Sequence, residues 1–213
     1  MRILDLYAGA GGERRRARIE ARGHTYFTLD LDPRFNCTLS LDMMTLYPAE
    51  FMDNYGGFDL VWASPPCEAF SVASIGHHWT GGKGAYVPKT PEATQMQALV
   101  VKTIEFIRHM APTGWIMENP RGVLRKLPCV DGLPLNTVTY CRYGDTSMKP
   151  TDLWGHVPGW EPRPMCCNGH PDHDAAPRGA RTGTQGKNGA AERAVVPWQL
   201  WADVLWAMEN NSK

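Results

Sequence analysis

The chain has 213 residues, 43% hydrophobic and 21% charged, enough apolar material for one packed core and too much for wholesale disorder. Lys+Arg and Asp+Glu stand at 22 each, which excludes a polycation that coats nucleic acid and requires a nucleic-acid enzyme to segregate its basic residues on one face. The apolar runs fall well short of the roughly 20 residues of a membrane span, MRILDLYAGAGG is no signal peptide, and six scattered cysteines read as reduced thiols of a cytoplasmic protein rather than a disulfide scaffold.

Residues 2–7 (RILDLY) read as a strand, AGAGG as a glycine turn and ERRRARIEARG as the helix that follows. TYFTLDL at 25–31 is a second strand, stopped by Asp32-Pro33. FDLVWA at 58–63 is a third, of the buried type, halted by Ser64-Pro65-Pro66. Residues 92–110 place Met96, Leu99, Val100, Thr103, Ile104 and Ile107 at helical spacing. GWIME at 114–118 is a strand stopped by Asn119-Pro120, and NTVTYCRY at 136–143 alternates as another. From 150 to 193 Gly, Pro, Arg, Cys and His dominate and no period persists, which predicts a small irregular lobe. Residues 196–208 return to helix, with Pro197 in its first turn. The expected fold is α/β: an open, mostly parallel Rossmann-like sheet, with a catalytic unit of 1–149 plus 194–213 and a lobe of 150–193. Ligands of such sheets bind beyond the carboxyl ends of the strands, where Gly9–Gly12, Asp30, Pro65-Pro66-Cys67 and Glu118-Asn119 stand.

The glycine turn lets backbone approach a ligand and offers N–H groups at a helix start. It lacks the third glycine of the dinucleotide fingerprint, Arg14 standing there, which argues against a nicotinamide-dependent oxidoreductase. Asp30 closes the next strand, where a carboxylate can hold ribose hydroxyls. Two prolines before Cys67 give a nucleophile a stiff mount, and a helix starting nearby would favour its thiolate; a buried structural thiol is the plainer alternative. Glu118 leaves a buried strand, a place suited to handling a proton.

Together DLYAGAGG, PPCEAFS, MENPRG, TYCRYG and a closing AVVP helix resemble, in order, the motifs of the cytosine-5 DNA methyltransferases. The resemblance covers about residues 3–145 and, more thinly, 194–208. It implies a fold of the class I methyltransferase type, with S-adenosylmethionine as cofactor and DNA as partner. It implies that Tyr7, Gly9, Gly11, Gly12, Asp30, Asp42 and Pro65 bind the cofactor, that Cys67 is the nucleophile, that Glu118 engages cytosine N3 and its exocyclic amine, and that Arg142 holds the base. Residues 68–90, with His77, His78, Gly81, Gly82 and Gly84, take the place of the family's mobile loop, and Trp79 is expected near substrate. Cytosine in RNA or in a free nucleotide, and a catalytically silent nucleic-acid-binding relative, remain as alternatives.

The chain departs from the family in three places. Tyr140-x-Arg142-x-Gly144 stands where QxRxR is usual, and Ala194-Val195-Val196-Pro197 stands for GNxVP. The stretch for target recognition is short, as in a compact, phage-like member, and calls for a short site, a partner chain or second copy, or a different substrate. Within it Cys166, Cys167, His170 and His173 are candidate zinc ligands, with Asp172 as a substitute for one. Arg178, Arg181 and Lys187 are candidate phosphate contacts. Arg14, Arg15, Arg16, Arg18 and Arg22 read as a solvated helix face, and Trp198, Trp201 and Trp206 as core or interface.

Overall fold

The structure, a computed structural model, describes residues 1–82, 85–174 and 190–211. Arg178, Arg181, Lys187 and Gly84 lie outside the described residues. The elements run β1 (Arg2–Leu6), α1 (Gly9–Glu20), β2 (Thr25–Asp30), β3 (Leu39–Ser40), α2 (Pro48–Tyr55), β4 (Leu60–Ala63), α3 (Ile75–His78), β5 (Trp79–Thr80), β6 (Val87–Pro88), α4 (Pro91–Met110), β7 (Gly114–Pro120), β8 (Leu135–Thr139), β9 (Pro150–His156), α5 (Ala190–Arg193) and α6 (Trp198–Asn211). Seven strands form one sheet in the order β3-β2-β1-β4-β7-β9-β8; β5 and β6 form a separate two-stranded ribbon. The first five strands are parallel, while β9 runs antiparallel to both β7 and β8.

Both faces of the sheet are covered, as a parallel sheet requires. Alternate residues of each strand go to opposite sides: Leu4, Val61, Ala63 and Met117 pack with Phe51, Val100, Ile104 and Ile107 from α2 and α4. Ile3, Leu60, Trp62 and Ile116 pack with Ile19 of α1 and Leu200, Trp201 and Leu205 of α6. Trp62 and Trp201 stack with centroids 4.3 Å apart. Trp201 is therefore core, whereas Trp206 is exposed. The strand ends β1, β2, β4 and β7 consequently lie side by side along one rim, where every candidate catalytic residue of the first 120 positions sits.

Four expectations are corrected. The strand read over 136–143 ends at Thr139, and Tyr140–Tyr143 form a 3-10 turn. Gly144, at φ +87°, turns the chain back, and the Tyr140 N–H donates to the Met148 carbonyl at 2.9 Å. The first seven residues of the supposed irregular lobe are β9, in the interior of the sheet. Hydropathy hides this strand because its centre holds Asp152, fully buried and paired with Arg125 at 2.7 Å. The lobe is thus confined to residues after 156. Arg15 is no part of a solvated face: it is buried, 2.6 Å from the fully buried Asp5, and its Nε donates to Tyr26 at 3.2 Å. The closing helix starts at Trp198, with Pro197 just ahead of it. Among the described residues no helix is long and apolar enough to cross a membrane.

Candidate active site

At the ends of β1 and β2 the chain turns sharply. Tyr7 sits at φ +62° and Gly9 at φ +52°, a left-handed region that glycine tolerates without strain. The Gly9 N–H donates to Asp30 Oδ2 at 2.9 Å and the Asp32 N–H to Asp30 Oδ1 at 3.0 Å, fixing the carboxylate at the strand end. Gly12 has a packing role: a Cβ there would lie 2.9 Å from the Ala8 Cβ and 3.0 Å from the Thr28 Cγ2, so α1 could not lie this close to β2. A Cβ on Gly11 would meet only the flexible end of Arg15. Asp42 caps a 3-10 turn, its Oδ1 accepting from the Met44 N–H at 2.9 Å. The Tyr7 hydroxyl lies 2.6 Å from Thr103 Oγ1. Burial pushes the phenol above its ordinary range, and the nearby charges of Asp42 and Asp30 add to this. Tyr7, Gly9, Asp30 and Asp42 therefore share one neighbourhood. Open space lies over Gly9, where an added Cβ would meet nothing within 4 Å. Two carboxylates around an accessible glycine turn fit a nucleoside that also carries positive charge, which is the chemistry of S-adenosylmethionine.

The next two strand ends are laced together. Beyond β4 the Cys67 carbonyl accepts from the Phe70 N–H at 2.9 Å and the Ser71 N–H at 3.2 Å, closing a single turn. At the end of β7 the Asn119 Nδ2 donates to the Pro65 carbonyl at 3.1 Å, and beyond the strand the Val123 N–H donates to the Phe70 carbonyl at 2.9 Å. Gly122 is dictated by this contact, since a Cβ there would stand 2.1 Å from the Phe70 oxygen. Glu118 is buried and its Oε1 accepts from the Tyr140 hydroxyl at 2.8 Å.

No helix begins at Cys67, so no helix dipole lowers its pKa. The thiol is instead pushed up to about 11, first by burial, then by the charges of Glu118 and Glu68. Lys149 opposes this and favours the thiolate. Lys149 is buried, stands at φ +27°, lies 4.5 Å above the Tyr140 ring and donates to the Arg193 carbonyl at 2.7 Å. Cys67, Glu118, Tyr140 and Lys149 thus form one cluster.

Tyr140 and Lys149 are the residues that sequence reasoning missed. The only signal for Tyr140 was its place in the TYCRYG block; for Lys149 it was a Lys-Pro pair opening a strand that hydropathy did not reveal. Arg142 sits on the 3-10 turn; its Nη1 pairs with Asp172 at 2.6 Å and its Nε is buried without a partner among the described residues. Trp79 is buried, stacks on Phe70 with centroids 5.9 Å apart and donates its indole N–H to the Ala69 carbonyl at 2.6 Å. It supports the Cys67 loop from within rather than lining an open surface. Of the candidate zinc ligands, Cys166 and His173 come together while Cys167 is exposed, and Cys141 takes its place in the cluster.

The family of C-5 cytosine-specific DNA methylases matches residues 1–127. The chain belongs to that family. S-adenosylmethionine is the methyl donor of these enzymes. A relative from Frog virus 3 (isolate Goorha), described as a probable DNA (cytosine-5)-methyltransferase, is 33% identical over 167 residues, covering 76% of this chain and 74% of its own length. A putative DNA modification methyltransferase encoded within an E. coli prophage superposes with a TM-score of 0.50 at 14% identity, over 73% of this chain. The match spans 46% of that protein's length, and the likeness shows the fold.

Proposed function

We propose that this methylase modifies C5 of cytosine in DNA through a covalent bond between Cys67 Sγ and cytosine C6. The observation that carries this is the clustering of Cys67, Glu118, Tyr140 and Lys149 at adjacent strand ends, beside the glycine turn and its two carboxylates. Tyr7, Gly9, Gly11, Gly12, Asp30, Asp42 and Pro65 would hold S-adenosylmethionine, which supplies an electrophilic methyl group. C5 of cytosine is a poor nucleophile until a group adds at C6. Cys67 makes that bond, and the thiol proton leaves through the neighbouring Glu118 carboxylate. Glu118 then holds a proton at N3, where negative charge would otherwise build up. Tyr140 engages one oxygen of Glu118 and orients the carboxyl group, leaving the second for the base. Lys149 offsets the negative charge that appears on Cys67 as its proton departs. After transfer a solvent water takes the C5 proton, the C5–H electron pair re-forms the C5–C6 double bond as the Cys67 Sγ–C6 bond breaks, and the proton held at N3 returns through Glu118 to the Cys67 thiolate. In a duplex the target cytosine must leave the stack to reach these groups.

The catalytic unit is placed at residues 1–156 together with α6, and recognition is left to the stretch after 156. That stretch is short, which favours a short recognition sequence or one completed by a second copy of the chain. A reduced, cytoplasmic setting suits the six free thiols. Tritiated S-adenosylmethionine incubated separately with DNA, RNA and dCMP tests the reading. Label recovered as 5-methylcytosine in DNA and lost with Cys67→Ala is the expected result. Label in RNA or dCMP alone would replace the substrate, and label retained by Cys67→Ala would remove Cys67 from the mechanism.

A further inference from the structure

We propose that Cys141, Cys166, His170 and His173 hold a structural zinc ion, which ties the 166–174 segment to the turn that follows Tyr140. The ligand atoms of Cys141, Cys166 and His173 all lie within 4.8 Å of one another. Cys166 Sγ and His173 Nδ1 are 3.4 Å apart. A tetrahedral zinc with Zn–S near 2.3 Å and Zn–N near 2.0–2.1 Å sets that separation at about 3.5 Å. Both thiols are buried, as befits a closed structural site. A second triplet, Cys166, His170 and Asp172, also falls within 4.8 Å and shares Cys166 with the first. For the fourth ligand His170 is assigned over Asp172, because Asp172 is held by Arg142 at 2.6 Å and zinc in closed sites prefers nitrogen and sulfur; His170 groups with Cys166 and Asp172 rather than with Cys141 and His173, so its imidazole, 3.1 Å from Asp172, must turn from that carboxylate to complete the tetrahedron.

The segment's own packing gives an independent reason. From Glu161 to Asp174 Cys166 is the one buried residue, and no helix or strand is formed. Apolar burial holds this segment weakly: its start is anchored by Arg163, which pairs with Asp203 at 2.8 and 2.9 Å, whereas from Cys166 to Asp174 the ties are the Arg142–Asp172 pair and single hydrogen bonds such as Cys166 N–H to Thr139 Oγ1 at 2.8 Å and Asp174 N–H to the Thr146 carbonyl at 2.9 Å. A metal that binds only the folded arrangement adds its binding free energy to folding, the usual solution where a core is too small. Because Cys141 directly follows Tyr140, the same ion would steady the turn from which Tyr140 reaches Glu118.

Elemental analysis of the untagged full chain tests the proposal, with about one zinc expected per chain. Cys141→Ser, Cys166→Ser and His173→Ala should each lose the metal, and Cys167→Ser should keep it. Should those variants fold poorly, replacing zinc by cobalt in the parent chain gives a separate readout. A tetrahedral cobalt spectrum with thiolate charge-transfer absorption is expected. The proposal is overturned by a metal-free chain that also fails to take zinc from a chromophoric chelator complex. It is equally overturned by a Cys141–Cys166 disulfide in non-reducing mass spectrometry, or by Cys167→Ser losing as much metal as Cys141→Ser.

Discussion

Glu118→Gln should make Cys67 more reactive toward small alkylating agents while abolishing methylation. In the resting site the thiol sits about two units above its ordinary 9.0, at about 11, with Glu118 the largest contributor after burial. At pH 7.5 only about one molecule in three thousand then carries a thiolate. Removing the Glu118 charge while keeping its shape lowers the thiol pKa, and each unit recovered raises the thiolate fraction about tenfold. A less basic thiolate is also a weaker nucleophile, by about threefold per unit, so the net gain in iodoacetamide rate near neutral pH is about threefold per unit recovered. The decisive quantity is the midpoint of the alkylation pH profile at the Cys67 peptide, followed by mass spectrometry with the exposed Cys167 as internal reference. It should fall in Glu118→Gln and rise in Lys149→Met, whose cation favours the thiolate. A midpoint that stays put in Glu118→Gln, or moves upward, would refute the electrostatic coupling of these groups.

Arg15→Met leaves the buried Asp5 without its cationic partner, the Tyr26 hydroxyl alone still donating to it, and should cost about 3–5 kcal/mol in denaturant unfolding; Arg15→Met combined with Asp5→Asn should recover part of the loss, and a single-variant cost below about 1 kcal/mol would contradict the pairing. Gly122→Ala drives a Cβ to 2.1 Å from the Phe70 oxygen and should displace the Cys67 loop, lowering the methylation rate at least tenfold with a modest change in Tm; full activity would show that the two strand ends are not locked together. Asp30→Ala removes the acceptor for the Gly9 N–H and should weaken S-adenosylmethionine binding at least tenfold in calorimetry, with unchanged affinity removing Asp30 from the cofactor site.

Hydropathy and punctuation made four of the five parallel strands legible; β3, only two residues long, carries no such signal. LVWA and RILDL are short apolar runs that end at glycine or proline, and α4 carries its buried residues at helical spacing. The same signals failed at β9, where Thr151 and Asp152 are buried polar residues: Thr151 donates to the Lys149 carbonyl two residues back, and Asp152 is satisfied by Arg125 and Thr137, distant in sequence. They failed at Arg15 for the same reason, since only the fold shows that Asp5 and Tyr26 wait for it. In the site, Cys67 and Glu118 were legible because each stands at a strand's carboxyl end, Cys67 directly after Pro65-Pro66 and Glu118 two residues before Pro120. Tyr140 and Lys149 were not, because their meaning depends on a strand pairing that no local pattern announces. Arg142 shows the converse: a charged residue in a suggestive motif can be spent on a neighbouring loop, here on Asp172.

That pairing explains why the cluster of Cys67, Glu118, Tyr140 and Lys149 needs the antiparallel end of the sheet. Thr139 at the end of β8 stands opposite Pro150 at the start of β9, so Tyr140 and Lys149 flank the two sides of one turn. β9 in turn lies against β7 with Thr151 opposite Pro120 and Leu153 opposite Glu118. Tyr140 therefore reaches Glu118 across β9, and Lys149 sits over the Tyr140 ring at the point of crossing. Leu153 and Trp154 pack on opposite faces of the sheet, so a slip of one residue in β9 would exchange their sides and is forbidden by both cores. The register that satisfies the core is thus the register that aims a phenol and an ammonium at the carboxylate and thiol of the parallel half. The placement of Tyr140 and Lys149 is a consequence of core packing, which is why it leaves so faint a mark on the local sequence.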